Sequence, residues 1–420
     1  MIEPIEDLSD RTYDPYVADD EMYGSEEDPF SPLHALRATG DVVPLDANEA
    51  SSVAAMAGDG YGQSFIALSH AAVEQVLNDA TTFSNSPFRA NLGVSFGQTL
   101  SVMDPPEHTQ YRKILQKAFR PNVVLGWGDG IVAPVIEELV SKFEVRGRAE
   151  LVEEFCRPYP FNVIYRMLGL PESDIEVFYK LTIALISFGR MDLAIEASEK
   201  LGRYFAGMIA ARRADPGDDV VSVIATAEVD GEYLPDEVAI SFLRQLINAG
   251  GDTTFRTTTA LLCGLLTNPS QLDAVRSDRE LVERAVEEAL RWEGPVIGTA
   301  RATDRDTVLC GVDIPANSIV SVSYGAANHD PQVFEDPDQF DVFRERHRHF
   351  GFAFGAHNCI GQQLARLEMS RALNAVLDRL PNVRLDPAYP APRMLGSIMR
   401  TPRELHVLFD PPDRAGITDI

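Results

Sequence analysis

The chain has 420 residues, a formal net charge of −27, and hydrophobic and charged fractions of 45% and 24%, the proportions of an ordinary globular protein with room for a large core. That charge argues against a nucleic-acid partner, which needs a basic footprint, and against docking on anionic lipid. The apolar runs are short and interrupted, so none reaches the roughly 20 residues of a membrane span and no membrane anchor is expected.

Residues 1–30 hold eleven acids and one Arg with little apolar periodicity, the composition of a solvated arm laid over a surface. The chain therefore divides into an acidic arm, 1–40, and a single domain, 41–420. Its start, MIEPIEDLSD, lacks the basic-then-apolar pattern of a signal peptide. Four scattered cysteines (Cys156, Cys263, Cys310, Cys359) form no CxxC or Cys/His cluster and suggest a reducing, cytoplasmic setting.

From Asp41 the pattern becomes that of a fold. Residues 41–45 and 64–69 predict two short strands, with a turn region at Gly58–Gly62 between them, and 71–79 predicts a helix. Residues 81–103 have no sustained period and are expected to be a long loop, of the kind that forms lids or binding loops. Asp104 and the prolines after it open an amphipathic helix that runs to 119. Helical patterns dominate from 130 to 292, and 184–213 is rich in small and aliphatic residues with Phe188, Tyr204 and Phe205. The period turns to two over 301–324, and short strand patterns recur around 383–385 and 405–409. No repeat or linker divides the chain. The fold class expected is mainly α with a smaller β-sheet region near the N-terminal end.

Asp236 to Thr267 has helical spacing on both sides of AGGDTT (249–254). As one helix it would run about 45 Å, enough to cross the domain. Gly250 and Gly251 cost roughly 1–2 kcal/mol against Ala inside a helix, so either two helices meet at a Gly turn or one helix opens locally to admit a ligand. Asp252 and Thr253, an acid beside a hydroxyl, could relay protons at such an opening. Glu288 and Arg291 lie at i, i+3 in the largely apolar AVEEALRW, and Arg344 in DPDQFDVFR is a candidate third member of a buried network.

Cys359 sits at the start of an amphipathic helix, after HFGFAFGAHN. Unpaired N–H groups and the dipole there favour a thiolate, a soft metal ligand. An arbitrary Cys in an apolar run is more often a small buried hydrophobe; the company this one keeps decides otherwise. The nearby His347, His349 and His357 lack the spacing of a zinc site.

With AGGDTT, EEALR, the Arg344 segment and FAFGAHNCIG in that order and at the family's approximate spacing, the chain from residue 40 to its end resembles the haem-thiolate monooxygenases, the cytochrome P-450 superfamily. One such motif alone is weak; the four together are very specific. The resemblance implies the P-450-type α+β fold with a long distal helix crossing over haem, and haem b (iron protoporphyrin IX) as cofactor. It makes Cys359 the axial iron ligand, with Phe352, Gly355, His357 and Gly361 its signature neighbours; Ala353 stands where many bacterial members have Gly. Thr253 and Asp252 match the pair that supplies protons during dioxygen activation, and Ala249 and Gly250 the opened turn. Glu288, Arg291 and Arg344 match a structural triad. His108, Arg112, Arg301 and His357 match groups that bond the haem propionates, which suits guanidinium–carboxylate chemistry.

The activity so implied is hydroxylation of a small hydrophobic substrate with dioxygen, by a monomer using electrons from a separate ferredoxin and ferredoxin reductase. Phe88, Leu92, Val94, Phe96, Val296, Ile297, Ile398 and Met399 are the expected pocket lining, and 81–103 and 184–213 the expected lids. Arg112, Lys113, Lys117, Arg120, Arg344, Arg346, Arg348 and Arg366 are expected to form a basic patch on the Cys359 side that steers an acidic ferredoxin. Arg89 could pair with a substrate carboxylate, though a solvated lid charge is the simpler role. A peroxide-driven peroxygenase would lack the Asp252–Thr253 pair, and a non-catalytic haem sensor or carrier would need neither that pair nor lids.

Overall fold

The computed structural model describes residues 4–46, 60–217 and 219–411. Part of the turn expected at Gly58–Gly62 lies outside them.

Helix Asp236–Thr267 is the centre of the molecule. Asp236 and Glu237 occupy its first turn, where acids suit the dipole. Most of its residues are buried, and helices on several sides pack against it. It runs through AGGDTT without a break, so a Gly turn between two helices is ruled out. The threonines are tolerated because their hydroxyls bond back one turn: Thr257 to Thr253 O at 2.8 Å and Thr259 to Phe255 O at 2.9 Å.

The glycine pair has a packing cause that the sequence reading missed. A Cβ on Gly251 would stand 2.4 Å from the Phe161 ring, and one on Gly250 3.0 Å from Ile164. Both belong to helix Pro158–Met167, which crosses the long helix here at backbone distance. The glycines admit a neighbouring helix on that face, not a ligand.

A five-stranded sheet flanks the helices in the order Val42–Leu45, Ser64–Ala67, Ile319–Ser323, Gly298–Thr303, Phe83–Ser84. Only Ser64–Ala67 and Ile319–Ser323 pair in parallel, with Ile319 opposite Ser64. The sheet therefore joins the N-terminal strands to strands from the last third of the chain, rather than lying wholly at the N-terminal end. A second sheet pairs Arg384–Leu385, His406–Leu408 and Arg148–Glu150. The expected loop 81–103 is more ordered than its aperiodic sequence suggests: it carries a short strand, a 3₁₀ turn Ser86–Ala90 and a short helix Leu92–Phe96.

The acidic arm departs most from expectation. It holds helices Pro15–Tyr23 and Phe30–Arg37, and it buries Leu8 and Asp19. Its acids meet basic groups elsewhere: Asp7 faces Lys180, Glu6 faces Arg203, Asp19 faces Arg256, Asp20 faces Arg403 and Glu27 faces Arg393. The arm does lie over the surface, but five of its acids are tied to it by ion pairs, and Asp19 is buried in one.

Candidate active site

Cys359 precedes helix Gln362–Arg379 and opens on a cavity of 330 Å³. The loop before it is tightly built. The Cys359 N–H donates to Phe352 O at 2.9 Å, and the Ala353 N–H to Phe350 O at 2.9 Å. Gly355 has φ +69°, and a Cβ there would strike Leu77 O, so only glycine fits. Ala353 has φ +54°, a left-handed conformation that a side chain makes costly. The departure from Gly at this position is therefore a local strain.

Burial pushes the Cys359 thiol up, against the opposing pull of the Gly361 amide, Arg112, Arg366 and the Gln362 amide. The amides at the helix start favour a thiolate, and desolvation opposes it. A bound cation on the sulfur would reverse that balance.

On the cavity wall stand the four groups expected to hold propionates: His108, Arg112, Arg301 and His357. Neither ring nitrogen of His108, a buried residue, has a hydrogen-bond partner among the described residues. The His108 and His357 rings lie 4.0 Å apart, and the Asn85 amide approaches His357 at 3.0 Å. Burial and the nearby Arg112 pull His108 down to about 4; burial and His108 pull His357 down to about 3. Arg112 donates to Asn358 O at 2.7 Å and Arg301 to Thr299 Oγ1 at 3.0 Å. A thiol, two guanidinium groups and unspent imidazole nitrogens in one chamber fit an iron porphyrin carrying carboxylates.

The opposite wall comes from the long helix through Phe242, Gln245, Leu246 and Ala249. Ala249 is exposed in mid-helix because it faces this cavity. One turn on, the Thr253 hydroxyl donates to Ala249 O at 3.0 Å. Asp252 turns the other way into the core, where its Oδ1 accepts from Arg256 Nε at 2.9 Å. Gly250, expected at the opened turn, points at Ile164 instead.

Glu288, Arg291 and Arg344 do meet. Arg291 donates to both Glu288 oxygens at 2.9 and 2.8 Å, and Arg344 Nε donates to Glu288 at 3.1 Å. Arg291 also binds the carbonyls of Asn328, Pro337 and Gln339, at 3.0, 2.7 and 3.0 Å.

Of the expected pocket lining, Phe88 and Leu92 reach the cavity. Val94 is instead 48% exposed, Phe96 packs into the main core, and Val296 bridges Met399 beside the Ile297–Ile398 hydrogen bond. Val94, Phe96, Val296, Ile297, Ile398 and Met399 are not among the residues that line this cavity. Arg89 pairs with Asp104 at 3.2 Å and is not held for a substrate. The sequence reading missed Leu100, Leu115, Phe119, Gln245 and Tyr324, all of which line the chamber. The spacing of 242, 245, 246 and 249 carried a signal, since i, i+3, i+4, i+7 defines one helix face.

Residues 210–409 match the family model described as Cytochrome P450. The chain is 36% identical to Cytochrome P450 107B1 of Saccharopolyspora erythraea, over 71% of this chain and 73% of that one. It is 34% identical to a steroid C26-monooxygenase of Mycolicibacterium smegmatis, over 74% and 79%. The crystal structure of CYP108D1 from Novosphingobium aromaticivorans superposes with a TM-score of 0.81 at 29% identity, covering 91% of this chain and 94% of that one. No helix among the described residues is long and apolar enough to cross a membrane.

Proposed function

The chain belongs to the cytochrome P450 family and is a haem-iron monooxygenase, and from that premise we propose that it hydroxylates a small hydrophobic molecule at haem b held by Cys359. The observation that carries this reading is one chamber lined by Cys359, by the exposed Ala249 and by the unpartnered His108. Bound there, thiolate-ligated haem iron supplies the activation of dioxygen.

The residues of this chain do the rest. His108, Arg112, Arg301 and His357 hold the propionates. Thr253 lies one turn beyond the cavity-lining Ala249, with Asp252 turned into the core, and its hydroxyl must turn away from Ala249 O to hand a proton toward the chamber. Phe88, Leu92, Leu246 and Phe242 keep the walls apolar, which selects a hydrophobic substrate and excludes water. Gln245, bonded to Ser101 Oγ at 2.6 Å, is a polar group among them.

Reduction under carbon monoxide tests the ligand: the Soret band takes the far red shift of thiolate ligation in wild type, and a band without that shift sinks the assignment. A pyridine haemochromogen spectrum checks haem b. Ferric optical shifts across terpenoids, steroids, aromatics and fatty acids identify the substrate class.

Electrons come from a separate ferredoxin in this reading. A groove of 760 Å³ on the Cys359 side is lined by Arg284, Arg344, Arg346, Arg366 and Arg371 but also by Glu283, Glu287, Glu288, Asp341 and Glu345, with Leu125 60% exposed. Lys113, Lys117 and Arg120 are exposed nearby in sequence to Arg112. Several expected members of the patch are spent internally: Arg112 on Asn358, Arg344 on Glu288, Arg366 on Glu287 and Arg348 on Glu74. Reversing the charge of Lys113 and Lys117 should slow ferredoxin-driven reduction and flatten its salt dependence; unchanged kinetics would remove the patch.

A further inference from the structure

Asp252 is held by more than its own helix. Arg256 lies between two buried carboxylates. Its Nε donates to Asp252 at 2.9 Å, and one terminal nitrogen donates to both oxygens of Asp19, at 2.7 and 2.8 Å. The side chains of all three are at most 6% exposed. Asp19 comes from the arm helix Pro15–Tyr23, far away in sequence.

The groups that face this cluster come from every element packed on it. Arg157 stands 3.8 Å from Asp19 and 3.0 Å from Glu153, and it donates to Tyr179 Oη at 3.3 Å. Among the described residues Tyr13 and Tyr16 of the arm also face it. The Phe255 ring lies beneath both guanidinium groups, at 4.9 Å from Arg157 and 5.4 Å from Arg256. A 600 Å³ cavity, lined by Tyr13, Tyr16, Arg157, Phe161, Tyr179 and Lys180, opens on the outer side of Arg157. Arg157 thus stands between this cavity and the buried Asp19–Arg256–Asp252 cluster, none of whose members lines it.

We propose that Asp19 is a positioning residue for Asp252: by engaging Arg256 from the arm, it limits that guanidinium's hold on Asp252 and leaves Asp252 able to exchange a proton. The inference rests on Asp252 and Thr253 forming the proton-handling pair. With Asp19 ionised, Arg256 divides its charge between two carboxylates, its Nε bonded to Asp252 Oδ1. Without Asp19 that charge is no longer shared with the arm, and Arg256 holds Asp252 more tightly. Burial, with Asp252 adding to it, pushes the Asp19 carboxyl up to about 6 against the pull of Arg256 and Arg157, so its protonation has the same effect in mild acid.

The test uses the full-length holoenzyme with NADH, a surrogate ferredoxin and its reductase, in the presence of the library compound that shifts the ferric spectrum most. Turnover, its pH profile and its solvent deuterium isotope effect are measured for wild type, Asp252→Asn, Asp19→Asn, Asp19→Glu and Arg256→Lys. Asp19→Asn is expected to slow turnover several-fold and to raise the isotope effect toward that of Asp252→Asn, with haem content unchanged; Asp19→Glu restores both. Infrared titration without substrate adds a readout independent of activity: a protonated-carboxyl band that titrates in mild acid disappears in Asp19→Asn. Should Asp19→Asn not fold, Arg256→Lys decides, since a point charge cannot serve two carboxylates as a guanidinium fork does. A wild-type isotope effect and pH profile in Asp19→Asn or Arg256→Lys, while Asp252→Asn is slow and isotope-sensitive, overturns the role of Asp19. A wild-type isotope effect in Asp252→Asn overturns instead the proton-pair reading, and this inference with it.

Discussion

The helix that carries Glu287 and Glu288 and the helix that carries Asp252 and Arg256 both bury carboxylates against guanidinium groups, and they do so in opposite ways. Beside Cys359, cations outnumber acids. Glu288 takes two arginines and the Asp341 N–H, and Arg291 spends its remaining donors on three carbonyls. Against the upward push of burial, His349 and Arg366 hold Glu287 down to about 2. Behind the long helix, Arg256 is shared by Asp252 and Asp19, Arg157 stands 3.8 Å from Asp19, and burial still lifts Asp19 to about 6. A network saturated with donors fixes chain geometry; one in which desolvation outweighs its cations keeps a carboxyl near its titration point. The first suits a scaffold for the cysteine loop and the second suits proton traffic.

The hardest blow to this contrast comes from the scaffold side. Arg291→Ala leaves Glu288 only Arg344 and the Asp341 N–H and strands three main-chain acceptors, so it should cost about 3–5 kcal/mol, seen as a lower denaturation midpoint and poor haem incorporation. If Arg291→Ala folded and loaded haem normally, the scaffold would not depend on the saturated network. On the other side, Thr253→Ala should keep haem and substrate binding while product per NADH falls several-fold and peroxide appears. An unchanged yield would remove Thr253 from proton delivery.

The pH response separates the two networks more finely. The folded Asp19 carboxyl lies above its unfolded value of 3.8, so its contribution to stability is full below that value and is lost as pH rises through about 6. The melting temperature of wild type relative to Asp19→Asn should therefore fall between about pH 4 and about pH 7. Glu287 works in the other sense: its contribution is present above 4.5 and lost only as pH falls toward about 2. A difference between wild type and Asp19→Asn that stays flat across that range would erase the distinction. The smallest effect lies in the cysteine loop, where Ala353→Gly relieves a left-handed φ and should stabilise by about 1 kcal/mol, read by chemical denaturation.

Legibility in the sequence followed the range of the interactions. The long helix, the Cys359 helix and the Glu288–Arg291 contact follow from periodicity and i, i+3 spacing, which are local. The arm misled because eleven acids among thirty residues look solvated until their partners, Lys180, Arg203 and Arg256, are brought up from far along the chain. The glycine pair misled because helix propensity says that glycine is costly, not whether the missing Cβ makes room for a ligand or for Phe161. Pocket lining was the least legible: Phe88 and Leu92 were found, but Gln245 and Phe242 lie on a helix face whose orientation depends on what packs behind it.

That packing at Gly251 divides the long helix for anyone who would redesign substrate scope. Any side chain larger than hydrogen at 251 must displace Phe161, and at 250 must push Ile164, so libraries at these positions would mostly sample misfolded protein. Gln245, Leu246 and Ala249 look into the chamber, where added or removed volume reshapes the space above the cofactor without parting two helices. A focused library at 245, 246 and 249 should return many folded variants with altered substrate preference, whereas one at 250 and 251 should return few.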